Sequence, residues 1–326
     1  MPRSGTSFLH NLLQQDPQFR APRLWEIQDP VPPTDPDEAG TVLSWKFWRV
    51  LSMNLQLQVF QLLAPRLALV HSVDALNAEE CMPILAMDGR SLLFNVLYRV
   101  HAYQEWLMRE PSISPMLFHR RFLQTLQHGA QQSRRKKAWL LKTPWHMFTL
   151  DALWAVYPDA KIIMPHRDPA GMIASLSSLH ARFNGICSDR VRPDLIGRFQ
   201  QAQWNIVIDK FMATRAANPE KHVVDVQFSD LAADPVKVVR QVYAAFGLEL
   251  SPPALENIRG YLNGTVGDGT GKRGAHGKHE YALEWFGLTE HDVMASPVFE
   301  AYCKRYSVPR RYMHSMEYGG VSPSIP

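Results

Sequence analysis

The 326 residues, 46% of them apolar and 20% charged, are enough for one large domain and have the balance of a soluble globular protein. A formal charge of +4 suits an anionic small ligand and is too weak to argue for a nucleic-acid partner. No apolar run reaches the length of a membrane span, no signal peptide is evident, and Cys81, Cys187 and Cys303 are too scattered for a zinc site or a disulfide framework, so the expectation is a cytoplasmic protein.

The chain opens on Met1-Pro2-Arg3-Ser4-Gly5-Thr6-Ser7, a tight polar loop that runs into a helix with Phe8, Leu9, Leu12 and Leu13 on one face. His10 is expected to face away from that stripe and to be structural. Ser4, Gly5, Thr6 and Ser7 fall where a helix has unpaired N–H groups and the positive end of its dipole. That geometry binds phosphate, and hydroxyls and Arg3 strengthen it. The same residues read alone make a helix N-cap. The Walker pattern GxxxxGK[ST] is absent. A phosphate loop ordinarily follows a buried strand, and the sequence predicts none ahead of this one.

Asp16-Pro17 ends the first helix, and residues 20–40 read as an irregular segment that includes Arg23-Leu24-Trp25-Glu26-Ile27. Residues 41–70 are apolar at helical spacing and suit a cover over a cleft; 79–109 read as one long helix or two, and 116–132 as another. Residues 30–135 are thus expected to be a mostly helical insertion or lid. Arg134 to Lys137 read as a solvated basic loop. An α/β core is expected over 138–246: a strand at 138–142 with the polar tip Thr143-Pro144-Trp145-His146, a helix at 148–157, a strand at 160–165 ending in His166-Arg167-Asp168-Pro169, helices at 170–183 and 195–217, a strand at 222–228, and a helix at 235–246 stopped by Gly247. Helices at 252–262 and 289–306 flank a Gly-, Lys- and His-rich loop at 263–280. Strands alternating with helices predict a parallel α/β sheet, with ligands bound outside the carboxyl ends of its strands.

Asp168 and Pro169 suit the cap and first turn of the helix after Arg167, and Ser175 follows in its second turn. An Arg at a strand tip and a Ser on the next helix can grip one phosphate; the plainer reading is an Arg–carboxylate pair and a surface Ser. Gly271-Lys272-Arg273-Gly274 adds a third basic, glycine-rich element, which is either an anion contact or a solvated loop.

In this order, the Pro-Arg-Ser-Gly-Thr-Ser loop, Arg167-Asp168-Pro169…Ser175 and the basic glycine loop resemble the sulfotransferases that use 3′-phosphoadenosine 5′-phosphosulfate (PAPS), chiefly the branch rich in bacterial enzymes and more distantly the tyrosylprotein sulfotransferases. Leu141-Lys142-Thr143-Pro144-x-His146, Tyr157-Pro158-Asp159-Ala160 and His279-x-Tyr281-x-Leu283-x-x-Phe286-Gly287-Leu288 also look like that branch. The resemblance implies a single domain over 1–326, with a P-loop NTPase-like parallel sheet flanked by helices and the strand before the phosphate loop missing. It implies that Arg3, Ser4, Gly5, Thr6 and Ser7 hold the 5′-phosphosulfate, that Arg167 and Ser175 hold the 3′-phosphate, and that Lys272, Arg273 and Gly274 touch the latter. Arg3 and Lys142 would stabilise the leaving phosphate. Glu26 matches the position of a catalytic Glu in that family, with His146, Glu79 and Glu80 as the other candidate bases. No metal is implied; the acceptor would be a small molecule, a glycan or a lipid. The competing readings are a P-loop kinase, which would want a Lys after the loop glycine and a carboxylate for Mg²⁺, and a catalytically defective protein of the same fold.

Overall fold

The computed structural model describes residues 1–36, 38, 41–63, 74–110, 112–130, 137–265 and 281–310. Its framework is two parallel strand pairs. β1 (Phe19–Arg20) lies beside β2 (Ala138–Trp139), and β3 (Ile162–His166) lies in register with β4 (Val223–Gln227), Ile162 opposite Val223 and His166 opposite Gln227. Between β2 and β3 there is no ladder, and a slot of about 130 Å³ bordered by Met1, Leu141, Ile163 and Pro165 separates them. Among the described residues no strand leads into the first loop; the Met1 amino group donates to the Pro165 carbonyl at the end of β3 (3.3 Å).

Helices clothe this framework: α1 (Thr6–Leu13), α2 (Leu24–Gln28), α3 (Trp45–Leu63), α4 (Met82–Met87), α5 (Leu93–Leu97), α6 (His101–Arg109), α7 (Ile113–Gly129), α8 (Leu150–Val156), α9 (Pro169–Cys187), α10 (Pro193–Ala217), α11 (Phe228–Ala233), α12 (Pro235–Phe246), α13 (Pro252–Asn263), α14 (Glu290–Met294) and α15 (Pro297–Arg305). None of them is long and apolar enough to cross a membrane. Leu9, Leu12 and Leu13 of α1 are buried against Val226, Leu231, Val238, Val239 and Val242, which ties the opening loop to β4 and the helices after it. A larger core joins α8, α9 and α10 through Leu153, Trp154, Met172, Ile173, Ile208 and Phe211. Burying such side chains contributes about 1.5–3 kcal/mol each, so α1 is held by packing and not by its eight residues' own helicity.

The structure departs from the sequence expectations at several points. Residues 79–109 form three short helices, because Gly89 takes a left-handed φ of 73° after α4 and Ser91 turns the chain into α5. The strand expected at 138–142 is paired only over Ala138–Trp139, and its partner β1 falls in a segment that reads as irregular. His10 does not face away from the leucine stripe: it is buried, Nε2 lies 3.2 Å from the Leu140 carbonyl, and burial lowers its pKa to about 4, so it is a neutral brace between α1 and the chain after β2. His166, at the carboxyl end of β3, is also internal. Tyr302 and Asp225 engage its two ring nitrogens (2.8 and 2.7 Å), and Tyr306 stacks on it.

Candidate active site

Gly5 is the N-cap of α1 with φ 77°, a backbone setting that side chains resist; a Cβ there would lie 3.0 Å from Leu231 and 3.2 Å from Phe228. Arg3 is also left-handed (φ 56°). α1 has no side-chain cap and no acidic residue in its first turn, so no carboxylate of the helix's own first turn competes with an incoming anion. Ser4 is buried and donates to the carbonyls of Met1 (2.5 Å) and Pro165 (3.3 Å), fixing the loop to β3. Ser7 is exposed and its Oγ accepts from Lys142 Nζ (2.8 Å). The same ammonium pairs with Glu80. The segment after β2 and the one before α4 are pinned together, Cys81 N–H donating to the Lys142 carbonyl (2.8 Å), and this places Glu80 beside Lys142.

Arg167 follows β3. Its guanidinium donates to the Arg3 carbonyl (2.5 Å) and the Tyr281 hydroxyl (2.7 Å) and lies 4.8 Å over the Phe228 ring. Arg3 Nε in turn donates to Ser175 Oγ (3.1 Å) on α9, where Ser175 is buried. Asp168 caps α9 by accepting from Gly171 N–H (2.8 Å), as its position predicts; burial raises its pKa. The expected 5′ and 3′ phosphate grips therefore touch, in one seam running Lys142, Ser7, Arg3, Ser175 and Arg167. Burial lowers the Arg3 pKa, yet a guanidinium stays charged across the working pH range. Tyr281 belongs to a motif quoted above, but nothing local in the sequence marks it as the hydroxyl that steadies Arg167.

Two residues of the seam, Arg3 and Ser7, border a cavity of about 260 Å³. Arg3, Thr6, Ser7, Glu79 and Glu80 border it on one side, and Met82, Leu92, Leu176, Leu179, Phe183 and Trp204 supply apolar wall. A cavity of this character, apolar with a few convergent polar groups, is what a small-molecule site requires.

Two expected contributors, Glu26 and His146, lie elsewhere. Glu26 is buried in α2 with both oxygens committed: Oε1 to Arg20 Nη2 (2.8 Å) and Oε2 to the Arg23 N–H (3.0 Å). His146 borders the slot between β2 and β3; its ring nitrogens are buried and have no partner among the described residues, and burial, with His119 nearby, lowers its pKa to about 3. Lys272, Arg273 and Gly274 lie outside the described residues.

The sequence profile of the Sulfotransferase family matches residues 1–252, more than half of the chain. The chain belongs to the sulfotransferase family. Among curated sulfotransferases, it is 29% identical over 143 residues to the omega-hydroxy-beta-dihydromenaquinone-9 sulfotransferase Stf3 of Mycobacterium bovis and to its Mycobacterium tuberculosis counterpart. That match takes in 40% of this chain and 34% of the relative, so it spans about a third of the relatives' length. The fold of sulfotransferase STF1 from M. tuberculosis H37Rv superposes with a TM-score of 0.72 at 28% identity, over 92% of this chain and 74% of that one. Sulfotransferase STF9 from Mycobacterium avium gives 0.76 at 25% identity, over 95% and 76%. The α/β architecture read from the sequence is thus the sulfotransferase one, and the loop, Lys142, Arg167 and Ser175 all fall within the stretch that the family profile matches.

Proposed function

We propose that this sulfotransferase moves a sulfuryl group from PAPS to a hydroxyl or amine on a small, largely apolar acceptor. The observation that carries the reading is the cationic seam at an uncapped helix start, whose Arg3 and Ser7 border an apolar cavity. The donor set fits PAPS. The α1 N-terminus with Arg3, Gly5, Thr6, Ser7 and Lys142 is the place for its 5′-phosphosulfate, and Arg167 with Ser175 is the place for its 3′-phosphate. Ser4 serves the same site by holding the loop on β3. Lys272, Arg273 and Gly274 are proposed as further contacts to the 3′-phosphate. When bound, PAPS supplies a sulfuryl group on a phosphate leaving group.

The chain's own residues do the rest. Arg3 and Lys142 offer fixed positive charge beside the loop, which is worth most in a partly buried site. Glu80 is the proposed base: it borders the cavity and pairs with Lys142, beside the loop, where it is placed to accept a proton from an incoming hydroxyl. Glu79 is its neighbour on the same border, and the Glu80 N–H donates to its Oε1 (2.8 Å). Glu26 would have to leave Arg20, and His146 has buried ring nitrogens, is neutral and borders a different cavity, so neither is favoured. The apolar cavity supports a lipid-like acceptor, in keeping with the menaquinone derivative in the name of the mycobacterial relatives. Three free cysteines suit the cytoplasmic location read from the sequence.

Incubation with sulfur-labelled PAPS and a panel of amphipathic alcohols tests the proposal. Label transfer to an alcohol with release of 3′-phosphoadenosine 5′-phosphate (PAP), with no requirement for Mg²⁺, is the expected result. Turnover of ATP in place of PAPS, dependent on Mg²⁺, would instead establish the kinase reading.

A further inference from the structure

A helix that is apolar on opposite sides is ordinarily buried on both. α3 is apolar on two sides and covered on one. Val50, Met53 and Leu57 turn inward, into a cluster with Leu24, Trp25 and Ala75. Trp48, Leu51, Leu55, Val59 and Leu62, spaced 3, 4, 4 and 3 residues apart, share the opposite face and are between 49% and 81% exposed. No charged residue occurs in the sequence from Val50 to Pro65, and the other exposed positions of that stretch include only neutral polar ones, Ser52, Gln56, Gln58 and Gln61. An uncharged apolar face of this kind marks a surface that meets something else.

Size and chemistry decide what meets it. From Trp48 to Leu62 the face runs about 21 Å and is about 10 Å across, a few hundred Å². A stable protein interface buries about 800 Å² per partner, so a second copy seated on this face would not hold. The face also lacks the charges through which a protein partner is steered and oriented. A bilayer asks for neither: it takes apolar side chains at the headgroup boundary and favours Trp at that depth. Trp45 and Trp48 stand exposed where the face begins, and Trp48 Nε1 already donates to the Val42 carbonyl (2.9 Å). α3 is not long and apolar enough to cross a membrane, so it suits the surface and not the span. The inner side of the helix is continuous with the cavity, because Leu24 packs in the α3 cluster and also borders the cavity. From this face and that continuity we infer that α3 lies in the surface of a lipid bilayer, with Trp48 to Leu62 inserted, and that the acceptor passes from the membrane to the cavity behind it. Docking rests on the exposed face alone; acceptor capture rests on the cavity being the acceptor site of the proposed reaction.

The test sediments the full chain with phosphatidylcholine vesicles, without PAPS, beside the variant Leu55→Gln/Leu62→Gln. Both positions are exposed and Gln suits a helix, so the variant is expected to melt with the wild type. The wild type is expected to pellet with the vesicles, and the variant to partition about tenfold or more weakly. With PAPS, the variant should turn over hexan-1-ol in water like the wild type, and hexadecan-1-ol held in vesicles about tenfold or more slowly. A wild type that stays in the supernatant, or a variant that binds vesicles as tightly as the wild type, overturns the inference. So does a wild type that ignores vesicles and sediments as a dimer where the variant is a monomer, which would give the face to a second copy. Equal rates on vesicle-held hexadecan-1-ol, with vesicle binding lost in the variant, overturn the capture step. If vesicle binding and its loss in the variant hold while PAPS gives no product with either alcohol, the sulfuryl-transfer reading fails and the bilayer docking stands.

Discussion

Lys142→Met is expected to lower kcat by about 10²–10³-fold while shifting the donor's KM far less. Lys142 is the cation that joins the phosphate loop to the cavity, donating to Ser7 and pairing with Glu80. A fixed positive charge there acts on the negative charge that grows on the leaving phosphate, so its loss falls on the transition state and not on ground-state binding. The side chain is 12% exposed, so its removal also strips Glu80 of the charge that orients it. Lys142→Arg keeps the charge and is expected to retain part of the rate, whereas a loss of packing alone would affect both variants alike. Steady-state kinetics with PAPS check this; kcat within twofold of wild type in Lys142→Met would remove the residue from the catalytic account.

Glu80→Gln is expected to cost about 10²–10⁴-fold in kcat, and Glu26→Gln to leave kcat within a few-fold of wild type. The two variants separate the carboxylates by role. Glu80 borders the cavity and pairs with the Lys142 ammonium. Glu26 is 2% exposed and neutralises Arg20, whose side chain is 3% exposed and lies 4.5 Å over the Trp139 ring. Removing that partner leaves a buried guanidinium unpaired, a loss of about 3–5 kcal/mol of stability. Glu26→Gln should thus melt at a markedly lower temperature yet turn over normally below it, whereas Glu80→Gln should lose turnover at temperatures where it is fully folded. The double variant Glu80→Gln/Lys142→Met is expected to be about as slow as the worse single, because residues that touch and act together are not additive. A Glu26→Gln enzyme that folds but does not turn over would return the base to α2.

These outcomes bear on what was legible from residue order alone. The loop at Arg3–Ser7, the cap at Asp168 and the stop at Gly247 (φ 62°) were readable, because each depends on neighbours within a few positions. The α/β core was readable from alternating apolar strands and amphipathic helices. What failed depends on distance. Glu26 shares α2 with buried Trp25 and Ile27, and only the fold reveals that Arg20, buried beneath Trp139, claims it. Glu80 gained its position from Cys81, whose N–H meets the Lys142 carbonyl across sixty-one positions of sequence. β1 is two residues long, too short for periodicity to register, and exists because β2 supplies its partner. His10, expected to face away from the leucine stripe, and His166, expected at a strand tip, are internal braces, each satisfied by groups more than fifty positions away.

The most direct measurement is a calorimetric titration of PAP, without Mg²⁺, into the wild-type chain and into Arg167→Ala. One-to-one binding is expected for the wild type. For the variant, which loses two charge-assisted contacts at the strand tip, a dissociation constant about tenfold to a hundredfold higher is expected. No heat of binding from the wild type, or a variant that binds PAP as tightly as the wild type, would contradict the assignment of the Arg3–Ser175–Arg167 seam to the nucleotide.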